Sequence, residues 1–215
     1  MRCIVTAGPT YEPLDEVRRL TNFSTGRLGG ELASFLTGHG HEVTLLLGEL
    51  ATWAGARHAA RVLPFSTTSN LRESLRTLSS QGADAIFHAA AVSDFRFSRI
   101  WAGHPQASTE LTGRKISTRH TRLIAELAPT PKILAELRAW YPASRIIGWK
   151  YEMDGTRADA LNAAERQLQE CRTDACVANG RAYGEGFGLV TGPGACAHLA
   201  NAGALYEALE ILARS

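Results

Sequence analysis

The sequence is short of almost every feature that would declare a function at once. Its four cysteines, Cys3, Cys171, Cys176 and Cys196, contain no CxxC pair, and its seven histidines contain no HExxH or other metal-ligand spacing. The pattern gives no zinc site or dithiol redox centre, metal-binding residues stay unassigned, and the thiols read as structural. Charge of one sign is missing too: the formal net charge is +2, with Lys and Arg scattered along the chain. That leaves none of the basic footprint of a nucleic-acid-binding protein. No apolar run is long enough to span a membrane, and the opening MRCIVTAGPTYEP offers one basic residue and too short an apolar stretch for a signal peptide. A reduced, cytoplasmic protein that handles small molecules, with neither nucleic acid nor membrane as partner, is expected. Repeats, low-complexity tracts and linkers are also lacking, and 215 residues with 45% hydrophobic and 20% charged residues suit a single domain spanning 1–215.

What is present is a rhythm. The stretches RCIVTA (2–7), HEVTLLLG (41–48), ARVLPF (60–65), DAIFHAAA (84–91), RIIGWK (145–150) and DACVAN (174–179) are short and nearly continuously apolar, as strands buried on both faces are. They predict one parallel sheet. Helical patterns separate them: 26–39 with Leu28, Leu32, Phe35 and Leu36 on one stripe, 68–80 with Leu71, Leu75 and Leu78, then 130–140, 156–171 and 201–213. Thr130-Pro131 reads as an N-cap hydroxyl followed by a first-turn proline. The alternation predicts an α/β fold, a doubly wound, mainly parallel Rossmann-like sheet. Residues 187–200, around a Gly-Pro-Gly turn, read as a small antiparallel C-terminal extension. Residues 92–122 break the rhythm. Holding no strand–helix pair but carrying Phe97 and Trp101, they read as a functional flap at about 97–114.

Ligands of doubly wound sheets sit outside the carboxyl ends of the strands. There the loop GPTYEPLDEVRRLTNFSTG feeds a helix opening at Ser24 to Gly26, with Gly29 following. Unpaired N–H groups and the helix dipole make such an opening an anion cradle. The same residues equally suit an ordinary N-cap, Ser24 or Thr25, followed by glycines that let helix pack on sheet. Neither GxGxxG nor GxxxxGK[ST] is matched. Glu49, near the end of the second strand, is either a ribose-binding carboxylate of a nicotinamide-dinucleotide reductase or a solvated residue. The run HAAAVSDF delivers Asp94, a hydrogen-bond acceptor for substrate or a structural cap. Lys115 is a mobile cation for phosphate or a solvated lysine.

The segments TAGPTYEPLDEVRRLTNFSTGRLGG, AAAVSDF, KIST, PTPKILAEL, IIGWKYEMDG and DACVANG, in this order and spacing, resemble the phosphopantothenate–cysteine ligases, or phosphopantothenoylcysteine synthetases, of coenzyme A biosynthesis. The likeness runs from about residue 3 to 180 and is closest to the monofunctional form. In many bacteria this domain is fused to a flavin-dependent decarboxylase, from which the family name DNA/pantothenate metabolism flavoprotein derives. The decarboxylase half has no counterpart here, so no flavin is expected, and a separate decarboxylase is a candidate partner. The resemblance implies that 4′-phosphopantothenate, cysteine and ATP or CTP with Mg2+ react through an acyl nucleotide. It implies that Gly8, Ser24, Gly26 and Gly29 cradle the triphosphate, that Asn22 holds the acyl intermediate and that Arg18 grips the substrate phosphate. Ala90, Ala91 and Asp94 would contact the pantothenate portion, Lys115 the phosphates as a catalytic cation, and Trp149 and Asn179 the nucleotide. It further implies a homodimer in which Arg18 and Asn22 serve the neighbour's site and the flap at 97–114 lies at the dimer contact, longer than in the bacterial fusion form.

One departure bears on the nucleotide. The CTP-using fusion form has Pro-Asp-Ile where this chain has Pro131-Lys132-Ile133, and two lysines near the places of Gln167 and Cys171. Lys150 is the residue that could restore positive charge, and ATP is expected to serve at least as well as CTP. The alternatives are an NADPH-dependent reductase on the same sheet and a catalytically inactive nucleotide-binding module.

Overall fold

The computed structural model describes residues 1–104, 107–112, 115–117 and 119–215. The chain begins with β1 (Arg2–Ala7), a short pair β2 (Tyr11–Pro13) and β3 (Arg19–Thr21), α1 (Arg27–Gly38), β4 (Glu42–Gly48), β5 (Arg61–Phe65) and α2 (Thr68–Leu78). It continues through β6 (Ala85–His88), β7 (Phe95–His104), β8 (Ala107–Glu110), β9 (Leu123–Pro129), α3 (Ile133–Trp140) and β10 (Arg145–Tyr151). It closes with α4 (Arg157–Cys171), β11 (Ala175–Asn179), β12 (Phe187–Gly192), β13 (Ala195–Leu199) and α5 (Ala202–Arg214).

The main sheet has the order β13-β12-β11-β10-β6-β1-β4-β5. Its six strands from β11 to β5 pair in parallel, and β12 and β13 extend the edge antiparallel. This is the α/β, doubly wound, mainly parallel sheet with the C-terminal antiparallel pair that the sequence predicts. From β1 the chain steps outward through β4 to β5, then returns to β6 on the other side of β1 and steps outward through β10 to β11. That reversal opens a crevice at the carboxyl ends of β1 and β6.

Strand alternation decides which layer each side chain joins. Cys3, Val5 and Ala7 meet Leu32 and Leu36 of α1 and Leu205 and Leu209 of α5, whereas Ile4 faces Leu71 and Leu75 of α2 and Ile133 and Leu137 of α3. Each buried leucine contributes about 1.5–3 kcal/mol by leaving water, so the predicted stripes fix which face of α1 and α2 turns inward. Ala160 and Ala164 of α4 close over Cys176 and Ala178 of β11. Side chains cap three helices: Thr67 accepts from Asn70 N, Asn201 accepts from Ala204 N, and Thr156 forms a reciprocal capping box with Asp159.

Three expectations need correction. The third helix begins at Ile133 with Lys132 at its cap and no side-chain cap bond. Thr130 instead donates its hydroxyl to Ser93 O and its N–H to Asp94 O, because the β9–α3 connection is tied to the residues that lead into β7. Second, β6 ends at His88, since Ala89 to Ala91 leave the sheet for the crevice. Third, the expected flap is largely regular structure. Residues 105, 106, 113 and 114 of it lie outside the described residues, but β7, β8 and β9 form a three-stranded antiparallel sheet of order β8-β7-β9. Its register shifts between Phe97 and Arg99, so Phe95 and Phe97 fall on one parity and Ile100 on the other. The bulge erases the period of two by which a strand is recognised.

Candidate active site

Beyond the last residues of β1 and β6 the two loops stay zipped. Ala91 N donates to Gly8 O and Thr10 N to Ala91 O, both at 3.0 Å. Beneath them a relay of polar groups crosses the sheet: Ala90 N donates to Thr6 Oγ1 at 3.1 Å, and Thr6 Oγ1 lies 3.0 Å from His88 Nδ1. Burial pushes His88 down to about 4, so the ring is neutral near pH 7 and its Nδ1 and Thr6 Oγ1 share one hydrogen bond. A second knot ties Thr10, which accepts from Ser93 N at 2.8 Å, donates to Ser93 Oγ at 3.2 Å and touches Thr68 Oγ1 at 3.3 Å. The buried Glu12 carboxylate then accepts from Thr68 N at the start of α2, where the helix dipole favours it. Motif reasoning passed over Thr6, Thr10, His88 and Ser93. The available signal, for Thr6 and His88 alone, was a polar residue inside a strand whose neighbours are apolar on both faces.

Asn22 closes this crevice. Thr21 Oγ1 donates to Thr10 O at 2.9 Å, and the adjacent Asn22 Nδ2 donates to Ala91 O at 3.1 Å across a sequence separation of 69. Asn22 and Ala91, expected to meet substrate, are thus brought together within one chain. Asp94, exposed, follows Ser93 at the crevice rim.

The glycine-rich opening has a geometric cause. Gly26, at φ +78°, is the N-cap of α1 with no side-chain cap bond, and Thr25 Oγ1 accepts from Arg27 N at 3.3 Å. Ser24 is half-buried beside it. A Cβ on Gly26 would stand 3.3 Å from Gly8 Cα and 3.0 Å from Ala51 Cβ, and one on Gly8, itself at φ +85°, would stand 2.9 Å from Ala51 Cβ. A Cβ on Gly29 would lie 2.6 Å from Ala7 Cβ. These three glycines therefore press α1 against β1 and its loop, while Thr25 Oγ1 meets Arg27 N and the N–H groups of Leu28 and Gly29 have no side-chain acceptor among the described residues. Glu49 is exposed and accepts from Tyr11 OH at 3.3 Å.

Two further groups hold the remaining candidate residues. Lys115 is exposed, and the next residue, Ile116, is bonded at both main-chain polar groups: its N–H donates to Asp15 Oδ2 at 3.1 Å and its carbonyl accepts from Arg18 Nη2 at 2.8 Å. Arg18 is paired with Asp15, whose carboxyl the guanidinium, with backbone N–H donors, holds well below the usual range. At the ends of β10 and β11, Trp149 Nε1 and Asn179 Oδ1 are buried without a protein partner, a donor and an acceptor on the same face of paired strands. Such atoms cost free energy until a ligand or water meets them. Lys150 pairs with Glu152 at 3.1 Å and Lys132 with Glu170 at 3.2 Å. Gln167 Nε2 is spent on Trp149 O and Cys176 Sγ, and Cys171 is buried. Among the described residues no group of three or more His, Cys, Asp or Glu could hold a resident metal ion.

Residues 1–198 match the family described as the DNA/pantothenate metabolism flavoprotein C-terminal domain. The chain belongs to that family. The bifunctional coenzyme A biosynthesis protein CoaBC of Thermococcus kodakarensis is 30% identical over 184 residues, which are 83% of this chain and 41% of that protein. A cysteine/cysteine sulfinic acid decarboxylase from an unknown prokaryotic organism is 30% identical over 192 residues, 88% of this chain and 49% of that one. The chain thus spans less than half the length of either relative. The crystal structure of the DNA/pantothenate metabolism flavoprotein from Streptococcus pneumoniae, 26% identical, covers 100% of both chains with a TM-score of 0.86. The family likeness read from the six segments therefore holds, and the β1/β6 switch point is where this member of the family carries its candidate site.

Proposed function

We propose that this domain is the ligase that joins 4′-phosphopantothenate to L-cysteine at the expense of a magnesium-bound nucleoside triphosphate. The substrate carboxylate attacks the α-phosphorus, pyrophosphate leaves, and an acyl nucleotide remains. The cysteine amine then attacks the acyl carbon, forming the amide and releasing the nucleoside monophosphate and a proton. Neither step needs a protein nucleophile. What is needed is placement and complementary charge. Magnesium enters with the nucleotide and neutralises phosphate charge.

The observation that carries this reading is the Asn22 carboxamide held against Ala91 O at the mouth of the crevice. One N–H of Nδ2 is used there. The second N–H and Oδ1 are left to donate to an acyl oxyanion and to accept from a hydroxyl. In this reading Ala90, Ala91 and Asp94 line the pantothenate arm, Arg18 and Lys115 meet phosphates, the opening at Ser24 to Gly29 with Gly8 takes the triphosphate, and Trp149 and Asn179 take the nucleoside with Lys132 and Lys150 nearby. Membership of the family, and a relative named for coenzyme A biosynthesis, support it. The lack of a GxGxxG fingerprint counts against a dinucleotide-dependent reductase. A homodimer, a separate decarboxylase as partner, the absence of flavin and a cytoplasmic setting belong to the same proposal. Among the described residues no helix is long and apolar enough to cross a membrane.

Pyrophosphate release measured with phosphopantothenate, cysteine and each triphosphate tests the proposal. Release that requires both phosphopantothenate and a nucleotide, with amide product, is expected. Carbon dioxide release from cysteine, or NADPH oxidation without pyrophosphate, would overturn it.

A further inference from the structure

The turn between β2 and β3 carries a carboxylate that is charged yet hidden. The Asp15 side chain is 1% exposed. Its two oxygens do different work. Oδ1 accepts from Val17 N at 2.9 Å and Arg18 N at 2.8 Å, which shapes the turn itself. Oδ2 accepts from Arg18 Nε at 3.1 Å and from Ile116 N at 3.1 Å, a residue 101 positions away. Arg18 Nη2 completes the circuit by donating to Ile116 O. Ile116 is therefore gripped by its N–H and its carbonyl together, and its side chain is buried. Arg18 and the three backbone donors keep the Asp15 carboxyl ionised far below neutral pH, so the grip is charge-assisted throughout the working range.

We propose that Asp15 is a positioning residue that, through Ile116, sets where Lys115 stands relative to the crevice. Lys115 precedes the gripped residue by one peptide unit, which ties its Cα to the hairpin while its side chain stays exposed. Fixing the backbone of a residue costs conformational freedom, and here that restriction is met before any ligand arrives. The inference rests on the ligase reading, in which Lys115 meets phosphate charge during the reaction.

The division of labour between the oxygens makes a selective variant available. Asp15→Asn, with its carbonyl at the Oδ1 place, keeps the turn bonds and presents an NH2 group to Ile116 N and to Arg18 Nε and Nη2 at the Oδ2 place, so the bonds to Ile116 N and to the Arg18 guanidinium are lost together. Steady-state pyrophosphate release is compared in wild type, Asp15→Asn, Lys115→Ala and the double variant. Asp15→Asn should lower kcat by about 10- to 100-fold, the scale of a misplaced group. On the Lys115→Ala background it should change kcat by no more than about twofold. A rise in KM for phosphopantothenate reports Arg18 separately. Hydrogen exchange supplies a readout independent of activity: the Ile116 amide should be protected in wild type and exchange freely in Asp15→Asn, while the amides of β1 and β4 keep their protection.

A Lys115→Ala variant with wild-type kcat overturns the reading of Lys115, and the positioning role falls with it. An impaired Lys115→Ala that Asp15→Asn impairs by the same factor as in wild type overturns the positioning role alone, as does wild-type kcat in Asp15→Asn. Should Asp15→Asn fail to fold, the wild-type exchange measurement still decides: an unprotected Ile116 amide means that no grip exists in solution.

Discussion

Asn22 Nδ2 and the Ala91 carbonyl oxygen stand 3.1 Å apart, joining the hairpin to the loop beyond β6 at the one place where the main sheet reverses its winding. Asn22→Asp puts a carboxylate against that carbonyl and beside the developing oxyanion, removing a donor from both. Loss of such a donor costs about 3–4 kcal/mol, or ~10²–10³ in rate. Amide formation should fall by that factor in single-turnover assays while triphosphate binding changes little. Wild-type turnover would reduce Asn22 to a tie between two loops.

The nucleotide choice follows from which cations are engaged. Lys132 and Lys150 sit in partly exposed pairs with Glu170 and Glu152. Pairs of that kind hold their partners by about 0–1 kcal/mol, so both lysines can turn to a phosphate. Gln167 cannot, being bonded inward. ATP is expected to serve at least as well as CTP, judged by kcat/KM for each. A strong preference for CTP would show that base selection is independent of the residues at 132, 167 and 171.

His88 makes stability depend on acidity. The folded protein keeps its ring neutral down to about pH 4, whereas the unfolded chain takes up the proton at about 6.5. Between those values the unfolded state binds more protons, so stability present above 6.5 is lost as pH falls towards 4, by about 3 kcal/mol in full. Urea unfolding across that range measures the slope. His88→Gln should flatten it, and an unchanged slope would assign it to other groups.

Gly29→Ala should destabilise the fold by about 1–3 kcal/mol although alanine favours helix, because its Cβ would overlap Ala7 Cβ at 2.6 Å between two rigid backbones. A urea midpoint at or above that of wild type would show that α1 slides freely on β1.

Val17, Leu20 and Phe23 near the hairpin, with Phe95, Leu123 and Leu127 of the small sheet, leave large apolar side chains in water. A homodimer is expected to cover them. Sedimentation velocity at assay concentration should give a dimer, and Phe23→Asp should shift it towards monomer. A wild-type monomer would end the idea of a shared site.

The parts of the fold that were legible in the sequence are those whose burial is uniform. The six parallel strands are apolar on both faces, and stripes such as Leu71, Leu75 and Leu78 turn one face of a helix inward, so local pattern and tertiary burial agree. The small sheet stayed hidden because its bulge resets the alternation at Phe97 and because Leu123 and Leu127 are exposed, which makes β9 read as surface. Thr130 misled because its hydroxyl had a better partner in Ser93 O than in a helix N–H. At the crevice, the helix opening at Ser24 to Gly26 could be picked out by its small and hydroxyl-bearing residues, whereas Gly8 and Asn22 came only with the family resemblance. Asp15 could not be picked out, since its importance lies in a contact to Ile116 that no local pattern encodes.

The Thr10–Ser93–Thr68 knot has a consequence for how the molecule can yield. Pulling the hairpin away from α2 would strand buried hydroxyls and the Glu12 carboxylate without partners, at about 1–3 kcal/mol for each neutral group and more for the charge. The roots of the hairpin and of the small sheet, which meet at Thr10, Ser93 and Thr130, therefore travel as one rigid body.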